Sequence, residues 1–339
     1  MSSESDGRGT GPSSDDVPLA VKEPISSSEH ARVSPGDVFF KNLTRTAGIG
    51  LLVLIAVIAA FLVLEATSAL DANTGNFFTT TEWFPNQAPP FFGIAALLFG
   101  TLLTATIAMA ISVPVAVGIA LFITVYAPRR LATSLAFIVD LLAAVPSVVF
   151  GLWGLIVLVP RMNGLQQWLT DYFGWIPLFS TSEGLVGRSI FVASVVLAIM
   201  ILPIVAAISR EVFLQVPTAH KEAALALGAT RWEMIRTAVL PYGKPGVISA
   251  SMLGLGRAMG ETIAVALVLP ASFGISWHIL SPAGNTIAAN VANGFAEANS
   301  IGRGALIASG LVLFIVTMLV NIIARAVIAR RREFSGTAA

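Results

Sequence analysis

The sequence predicts an all-α polytopic membrane protein with six transmembrane helices. Hydrophobic residues make up 55% of its 339 positions, charged residues only 12%, and the mean hydropathy is +0.83. In addition, six separate segments are long and apolar enough to cross a hydrocarbon core about 30 Å thick. Short loops join these segments, so we expect one membrane domain without an independent soluble core.

Composition also argues against several kinds of site. The formal net charge of +1 gives no reason to expect a nucleic acid partner. The chain contains no cysteine, which excludes disulfides, thiolate nucleophiles and cysteine metal ligands. Its three histidines, His30, His220 and His278, lie far apart in sequence and lack ligand spacing. We therefore expect no metal site and no cofactor bound by this chain itself.

The first element is a polar tail. Ser, Gly, Asp, Glu and Pro dominate about the first 36 residues, and the first long apolar run starts near residue 47. Segments of this composition bury too little apolar surface to fold alone. A cleaved signal peptide would need an apolar core near the start, which is missing here. We therefore predict that residues 1–45 form a disordered cytosolic tail that stays attached.

The predicted spans follow in order along residues 46–333, and residues 334–339 would form a short C-terminal tail. The second span is longer than the bilayer requires and contains Pro114, which predicts tilt or a kink. The six predicted spans are 47–70, 93–125, 132–159, 189–209, 246–270 and 305–328.

Lysine and arginine predict the orientation, because the cytosolic flanks of spans hold them preferentially. They cluster before the first span, after the second, between the fourth and fifth, and after the last, whereas the remaining loops carry few. We therefore expect both termini to be cytosolic. The clustered cations are Lys41, Arg45, Arg129, Arg130, Arg210, Lys221, Arg231, Arg236, Lys244, Arg325 and Arg330–Arg332.

The cytosolic loop at about 211–244 predicts a helix, a sharp turn and a second helix. Pro217 has a fixed φ suited to a first helical turn, and Gly228 can adopt the left-handed conformation that ends a helix. Between them, Ala223, Ala224 and Leu227 would form a small apolar face beside Glu222. Such a face fits either a groove on another protein or a layer of lipid headgroups.

The second helix of the loop has its own start and stop signals. Thr230 and Glu233 have capping-box spacing, which predicts a helix from Arg231 onward. Pro241 cannot donate a backbone hydrogen bond, so we expect it to disrupt that helix.

From its first helix to Pro241, the loop resembles the cytosolic signature of ABC importer inner-membrane permeases. That signature reads Glu-Ala-Ala, three residues, Gly, nine residues, Ile, one residue, Leu-Pro. Ala238 stands where the signature has Ile, which removes one apolar contact but not the turn. In that family the loop is a coupling helix bound in a cleft of the ATP-hydrolysing subunit. The matching residues are Glu222, Ala223, Ala224, Gly228, Leu240 and Pro241.

Within that family the chain most resembles the C subunit of the phosphate-specific (Pst) importer, over about residues 45–333. Leu253–Thr262 looks like that subunit's Gly-Arg-Ala-x-Gly-Glu-Thr segment, and Val145–Gly154, Asn285–Ala288 and Phe295–Ala298 are also similar. The resemblance implies an ABC importer permease fold and a subunit that carries inorganic phosphate into the cell across the inner membrane.

The same resemblance implies the partners: a second homologous permease subunit, an ATP-binding subunit dimer, an extracytoplasmic phosphate-binding protein and membrane lipid. ATP and Mg would be bound by the partner ATPase, so this chain would not be an enzyme. Gly243–Lys244 fits that expectation, because it lacks the upstream Gly and the following Ser or Thr of a phosphate-binding loop.

Two ionisable residues, Arg257 and Glu261, would lie in the fifth span, close to mid-membrane and one helical turn apart. Charges at this depth are costly, so the two could neutralise each other or face a translocation path. A guanidinium suits phosphate oxygens, and a carboxylate can accept the proton of hydrogen phosphate, which sulfate lacks. We therefore predict that Arg257 attracts the anion, while Glu261 competes for Arg257 and favours a protonated oxyanion.

Three further glycines, Gly254, Gly256 and Gly260, surround the charged pair. The last two have the spacing that permits close helix contact, which we predict. A second intramembrane acid, Asp140, precedes Pro146 in the third span. Asp140 could pair with a partner helix, line the path, or reach water at the cytosolic end. For Pro146 we expect a kink.

Other functions remain open from sequence alone. A sulfate or molybdate permease is the nearest alternative among ABC importers. An ion-coupled secondary transporter also uses intramembrane acids, but it would not need a coupling helix and would commonly show duplicated halves. A membrane scaffold or phosphate sensor without flux is a third alternative.

Overall fold

The computed structural model describes residues 35–181 and 186–335, with side chains as far as Ala326. Residues 1–34 of the tail predicted over residues 1–45, and residues 336–339 of the predicted C-terminal tail, lie outside the described residues. By its contacts the chain divides into two units, Met1–Ile55 and Ala56–Ala339. The described part of the first unit is the beginning of one helix, and all other described elements belong to the second unit.

The described chain is almost entirely helical. The helices are α1 Pro35–Ala72, α2 Ala95–Leu121, α3 Arg129–Ala143, α4 Ser147–Trp153, α5 Val159–Phe173, α6 Ile190–Leu214, α7 Thr218–Ala226, α8 Arg231–Met234, α9 Leu240–Gly260, α10 Ile263–Val268, α11 Ile287–Gly294 and α12 Ser300–Ser335. A short antiparallel hairpin pairs β1, Trp83–Phe84, with β2, Phe91–Phe92. Single π-helical turns occupy Phe122–Tyr126, Gly154–Leu158 and Ile235–Val239.

Helix α1 begins earlier than predicted, because residues 35–45, which we placed in the tail, are helical. Pro35 suits the first helical position, and the carboxylate of Asp37 in the first turn interacts favourably with the helix dipole. The apolar run predicted the hydrophobic centre of this helix, but it could not predict the polar first turns.

Five helical stretches of the described residues are long and apolar enough to cross a membrane. They correspond to the first, second, third, fourth and sixth predicted spans, although their ends differ. They are Pro35–Ala72, Ala95–Tyr126, Ser147–Phe173, Ile190–Leu214 and Ser300–Ala326. The remaining predicted span, 246–270, is not one continuous helix but α9 followed by α10.

The third span was predicted in the wrong place. Residues 132–159 are divided at Pro146, so that α3 ends at Ala143 and a new helix starts at Ser147. A proline disfavours the helical conformation of the residue before it and has no N–H to donate. The bend that we expected at Pro146 is therefore a complete break, and the spanning stretch is Ser147–Phe173.

Buried apolar clusters succeed one another along α2. Its residues Leu97, Ala108, Ala116 and Ala120 belong in turn to four different clusters. Helix α2 packs most extensively on α6. The buried face of α2 consists largely of small residues, which allow the two helices to approach closely.

The clusters define two ends of the helical unit. At one end, called the hairpin end, Trp83 of β1, Ile287 of α11 and Leu306 of α12 pack together. At the other, called the loop end, Phe213 of α6 packs with Met234 of α8. Helices α9 and α12 therefore run in opposite directions between these ends.

Candidate translocation site and coupling surface

The fifth predicted span is broken beside its two charges. Helix α9 ends at Gly260, Glu261 adopts the extended conformation φ −70°, ψ 126°, and α10 begins at Ile263. The prediction that the fifth span is one continuous helix through Arg257 and Glu261 was therefore wrong. Glycine is a poor helix former, and the break exposes backbone groups that a membrane-spanning helix would otherwise satisfy internally.

Glu261 satisfies part of that broken backbone. Its Oε1 atom accepts a hydrogen bond of 3.4 Å from the backbone N–H of Ala264, in the first turn of α10. On the other side of the break, the hydroxyl of Thr262 donates to the carbonyl of Gly260 at 3.1 Å. The residue Glu261 is only 9% exposed. Its carboxylate therefore lies inside the protein, where it caps the second half of a discontinuous helix.

Arg257 has a different environment. Its side chain is exposed, and none of the described residues forms a hydrogen bond or an ion pair with its guanidinium. It lines an open cavity of about 320 Å³ between α6, α9 and α12. The two charges do not neutralise each other in this conformation, so the donor fork of Arg257 is available to a ligand.

The glycines of α9 are arranged differently from our prediction. A side chain at Gly256 or Gly260 would meet nothing within 4 Å, so neither glycine is a close helix contact in this chain. Instead, Gly254 packs on α6, where an added Cβ would lie 2.8 Å from Val205. Gly256 lines the same cavity as Arg257, so the surface of α9 at Gly256 is open next to the guanidinium.

Arg188 fixes the far end of α10, a role that the sequence did not suggest. Its Nε donates to the carbonyl of Val268 at 3.1 Å, and one terminal nitrogen donates to Leu267 at 3.0 Å and Leu269 at 2.7 Å. A guanidinium at a helix C-terminus satisfies free carbonyls and interacts favourably with the helix dipole. Both ends of α10 are thus held by charged side chains, Glu261 at one and Arg188 at the other.

Asp140 lies apart from Arg257, in an ion pair between α3 and α6. Its Oδ2 lies 3.4 Å from a guanidinium nitrogen of Arg210, which joins α3 to the loop end of α6. Arg210 also bonds its neighbour Glu211 at 2.8 Å. Of the three alternatives for Asp140, the ion pair fits pairing with a helix, and the exposed position at the loop end fits contact with water. The carboxylate is half exposed as well, but it does not line the cavity around Arg257.

The loop between α6 and α9 contains the predicted helix and sharp turn. Helix α7 ends at Ala226, and Gly228 has φ +83°, the left-handed conformation expected after a helix. Glu222 and Ala223 are exposed, and Leu227 is 90% exposed. Ala224 instead contacts the loop-end cluster. The predicted apolar face is therefore divided, with Ala224 attaching α7 and the other residues facing outward.

The capping box that starts α8 is confirmed. The backbone N–H and the hydroxyl of Thr230 donate to Oε2 of Glu233 at 2.7 and 2.8 Å, and the N–H of Glu233 donates back to that hydroxyl at 3.3 Å. The backbone N–H of Thr230, and then its hydroxyl, lower the pKa of Glu233, because both bonds favour the carboxylate form.

Pro241 does not end the second helix, contrary to our prediction. The chain continues from α8 through the π-turn Ile235–Val239 into α9, with Pro241 in the first turn of α9. The wider π-turn realigns the backbone before the proline, so its missing N–H falls where a helix start leaves such groups unpaired. The signature's Leu240–Pro241 pair therefore marks the base of α9.

Comparison with known proteins agrees with this arrangement. Residues 112–333 match the family described as the binding-protein-dependent transport system inner membrane component. The chain belongs to this family. It is a multi-pass membrane permease, and the matched residues include the coupling-type loop, both halves of the broken span and α12.

Curated relatives resemble the permease over most of its length. The phosphate transport system permease protein PstC 2 of Mycobacterium tuberculosis is 46% identical over 296 residues, which cover 86% of this chain and 91% of the relative. The corresponding PstC of Xylella fastidiosa, strain Temecula1, is 44% identical over 309 residues, covering 90% and 94%.

A solved structure has the same fold as the permease. It is a bacterial ABC transporter involved in the import of the acidic polysaccharide alginate, and it superposes with a TM-score of 0.50. The two chains are 17% identical, over 69% of this chain and 78% of the other. The all-α fold of an ABC importer permease, predicted from sequence, is confirmed by this similarity and by the family match.

Proposed function

We propose that this permease carries inorganic phosphate into the cell as one half of the membrane pore of an ATP-driven importer. The observation that supports this most directly is the guanidinium of Arg257, which has no partner among the described residues and faces an open cavity beside a broken membrane helix. Guanidinium binds phosphate oxygens in planar, bidentate geometry. The similarity to two permeases named for phosphate transport supports the choice of anion.

The proposed complex contains a second permease, two ATP-binding subunits and an extracytoplasmic phosphate-binding protein. Mg and ATP bind only to the ATPase subunits. The exposed residues Glu222 and Ala223 of α7 and Leu227 just after it dock in the ATPase, while Ala224 transmits the movement to the loop-end cluster. With both termini cytosolic, the loop end faces the cytosol and the hairpin end faces outward.

The broken helix gives Arg257 and Glu261 separate tasks. Arg257 attracts the phosphate, and Glu261 caps α10 through Ala264. Glu261 does not line the cavity of Arg257 here, so its preference for an oxyanion with a proton would act in a second conformation. Competition between Glu261 and the anion for Arg257 would need a second conformation, because the two residues form no ion pair here. Weak binding at such a site permits release.

The test is uptake of labelled phosphate by proteoliposomes that contain the assembled complex and the binding protein. We expect uptake that requires ATP on the loop-end side and that excess sulfate does not inhibit. Inhibition by sulfate or molybdate would instead identify a permease for those anions. Uptake that follows an ion gradient without ATP would replace the proposal with a secondary transporter, and binding without uptake would indicate a sensor.

A further inference from the structure

A groove continues from Arg257 along α9 and α12 toward the loop end. The cavity that contains Arg257 is also lined by Asn321 of α12. A second cavity, of about 240 Å³, shares Met252, Leu253 and Asn321 with the first and extends to Arg325. Each is several times the volume of one water molecule, about 30 Å³ in the liquid. The two cavities therefore form one continuous open groove.

Polar residues follow this groove on both helices. On α12, Thr317, Asn321 and Arg325 recur every fourth position, and every residue between them is apolar. Residues four apart lie on the same face of a helix. On α9, Ser249 and Arg257 are separated by two such steps and both line the groove. A polar stripe on α12 that faces two polar residues of α9, with Leu253 between them, is the pattern of an aqueous path rather than of a lipid-facing surface.

The side chains of the stripe are also available. Neither Asn321 nor Arg325 has a hydrogen-bond or ion-pair partner within the part of the chain that the structure describes, and both are exposed. Thr317, by contrast, donates its hydroxyl to the carbonyl of Phe314. Hydrogen-bond donors without a partner among the described residues therefore extend along the groove from Arg257 to Arg325.

We propose that this groove is the cytosolic half of the anion path, and that Asn321 and Arg325 contact phosphate after it leaves Arg257. The inference rests on the proposed function for the identity of the anion. Amide and guanidinium donors replace part of the hydration shell, while a sequence of weak contacts lets the anion move on. Arg325 lies at the mouth, where it raises the local concentration of anions and draws phosphate past Asn321.

Labelling tests whether the groove is aqueous, because this chain has no cysteine of its own. In the assembled complex, Asn321→Cys and Ser249→Cys are reacted with an anionic methanethiosulfonate and analysed by mass spectrometry. The matched control is Ile323→Cys, which is exposed but lies about 200° around α12 from Asn321. We expect the cysteines at positions 321 and 249 to react about tenfold faster or more than the cysteine of Ile323→Cys. Equal or slower reaction of Asn321→Cys would overturn the proposal and indicate contact with lipid or the second permease.

The charge of Arg325 is tested in the same background. Arg325→Gln should slow the anionic reagent at Asn321→Cys several-fold, while a cationic reagent of similar size reacts as fast or faster. It should also lower phosphate uptake several-fold while ATP hydrolysis stimulated by the binding protein stays within about twofold, and Arg325→Lys should restore most of the uptake. Arg130→Gln removes an exposed charge elsewhere and should transport normally. Unchanged uptake and labelling in Arg325→Gln would contradict the role of Arg325.

These outcomes are distinct from failure of the proposed function. If the unmodified complex takes up no phosphate, the phosphate assignment is wrong for Arg257 and for the groove alike. If the unmodified complex transports phosphate but the groove cysteines do not react, only the groove proposal is overturned.

Discussion

Individual side chains decide the geometry of the broken span. Glu261 caps α10 at Ala264, and Arg188 bonds three carbonyls at its other end. The sequence indicated that Glu261 is important, because an acid in an apolar segment is costly. It gave no signal for Arg188, whose partners lie about eighty positions away in the chain. Only the tertiary fold brings these groups together.

Glu261 offers a way to separate its capping role from its charge. Glu261→Gln keeps an oxygen that accepts from Ala264, whereas Glu261→Ala removes the acceptor as well. We expect Glu261→Gln to assemble normally but to lose preference for phosphate over sulfate, as measured by competition in proteoliposomes. Glu261→Ala should reduce assembly too. If Glu261→Gln transports phosphate with unchanged preference, the carboxylate only caps the helix.

Arg188 should stabilise α10 more than another arginine of the same region stabilises its helix. Arg161 makes one bond, to the carbonyl of Val157 in the π-turn before α5, and serves as the control because this bond is exposed and water can replace it. Each hydrogen bond to a charged group contributes about 1.5–3 kcal/mol. We therefore expect Arg188→Ala to lower the thermal midpoint of the purified complex by several degrees and Arg161→Ala to leave it nearly unchanged. Equal effects would contradict the structural role of Arg188.

At the scale of elements, sequence signals for single turns and helix caps predicted the structure correctly. The sequence did not predict whether a long helix is continuous. The left-handed Gly228 and the capping box of Thr230 and Glu233 were predicted from local spacing and are confirmed. Pro146 breaks a helix that we expected to bend, whereas Pro241 continues one that we expected to end. The effect of a proline depends on whether a π-turn or tertiary packing compensates for its missing donor, which sequence spacing does not reveal.

The outward side of α7 should transmit nucleotide-driven movement. Leu227→Ser changes an almost fully exposed residue, so it should leave the complex folded while reducing uptake per ATP hydrolysed several-fold. Leu225→Ser is the matched control, because Leu225 is a leucine two positions away that is only half as exposed, at 45% against 90%. Both rates are measured in the same proteoliposomes. An unchanged ratio in Leu227→Ser would exclude this residue from the ATPase contact.

The capping box should depend on pH in a defined direction. The lowered pKa of Glu233 means that its stabilisation of α8 is complete above the unfolded pKa and is lost as the pH falls through the folded pKa. Hydrogen exchange of the α8 amides, corrected for intrinsic rates, should show protection that declines with acidification. Glu233→Gln keeps a neutral acceptor and should not show this decline. The same decline in both proteins would contradict the account.

For the whole molecule, composition and apolar runs were sufficient for the fold class, because burial in lipid requires helices whose backbone is internally bonded. The family signature predicts that the loop between α6 and α9 is the coupling surface, and this role stays a prediction. Neither could show that the fifth span is discontinuous, since the halves α9 and α10 are joined by only two non-helical residues, Glu261 and Thr262. At the break Glu261 bonds Ala264, while Arg257 lines the open groove and its guanidinium has no partner among the described residues, which is the basis of the proposed anion path.

The central claim is that phosphate passes Arg257, and one comparison tests it most directly. Labelled phosphate uptake and ATP hydrolysis stimulated by the binding protein are measured together for the unmodified complex, Arg257→Gln and Arg257→Lys. Loss of a charge-assisted bond worth about 1.5–3 kcal/mol predicts a fall in uptake of about tenfold or more in Arg257→Gln. Arg257→Lys should retain part of the uptake, and ATP hydrolysis should persist in both. Uptake by Arg257→Gln at the unmodified rate would contradict the account.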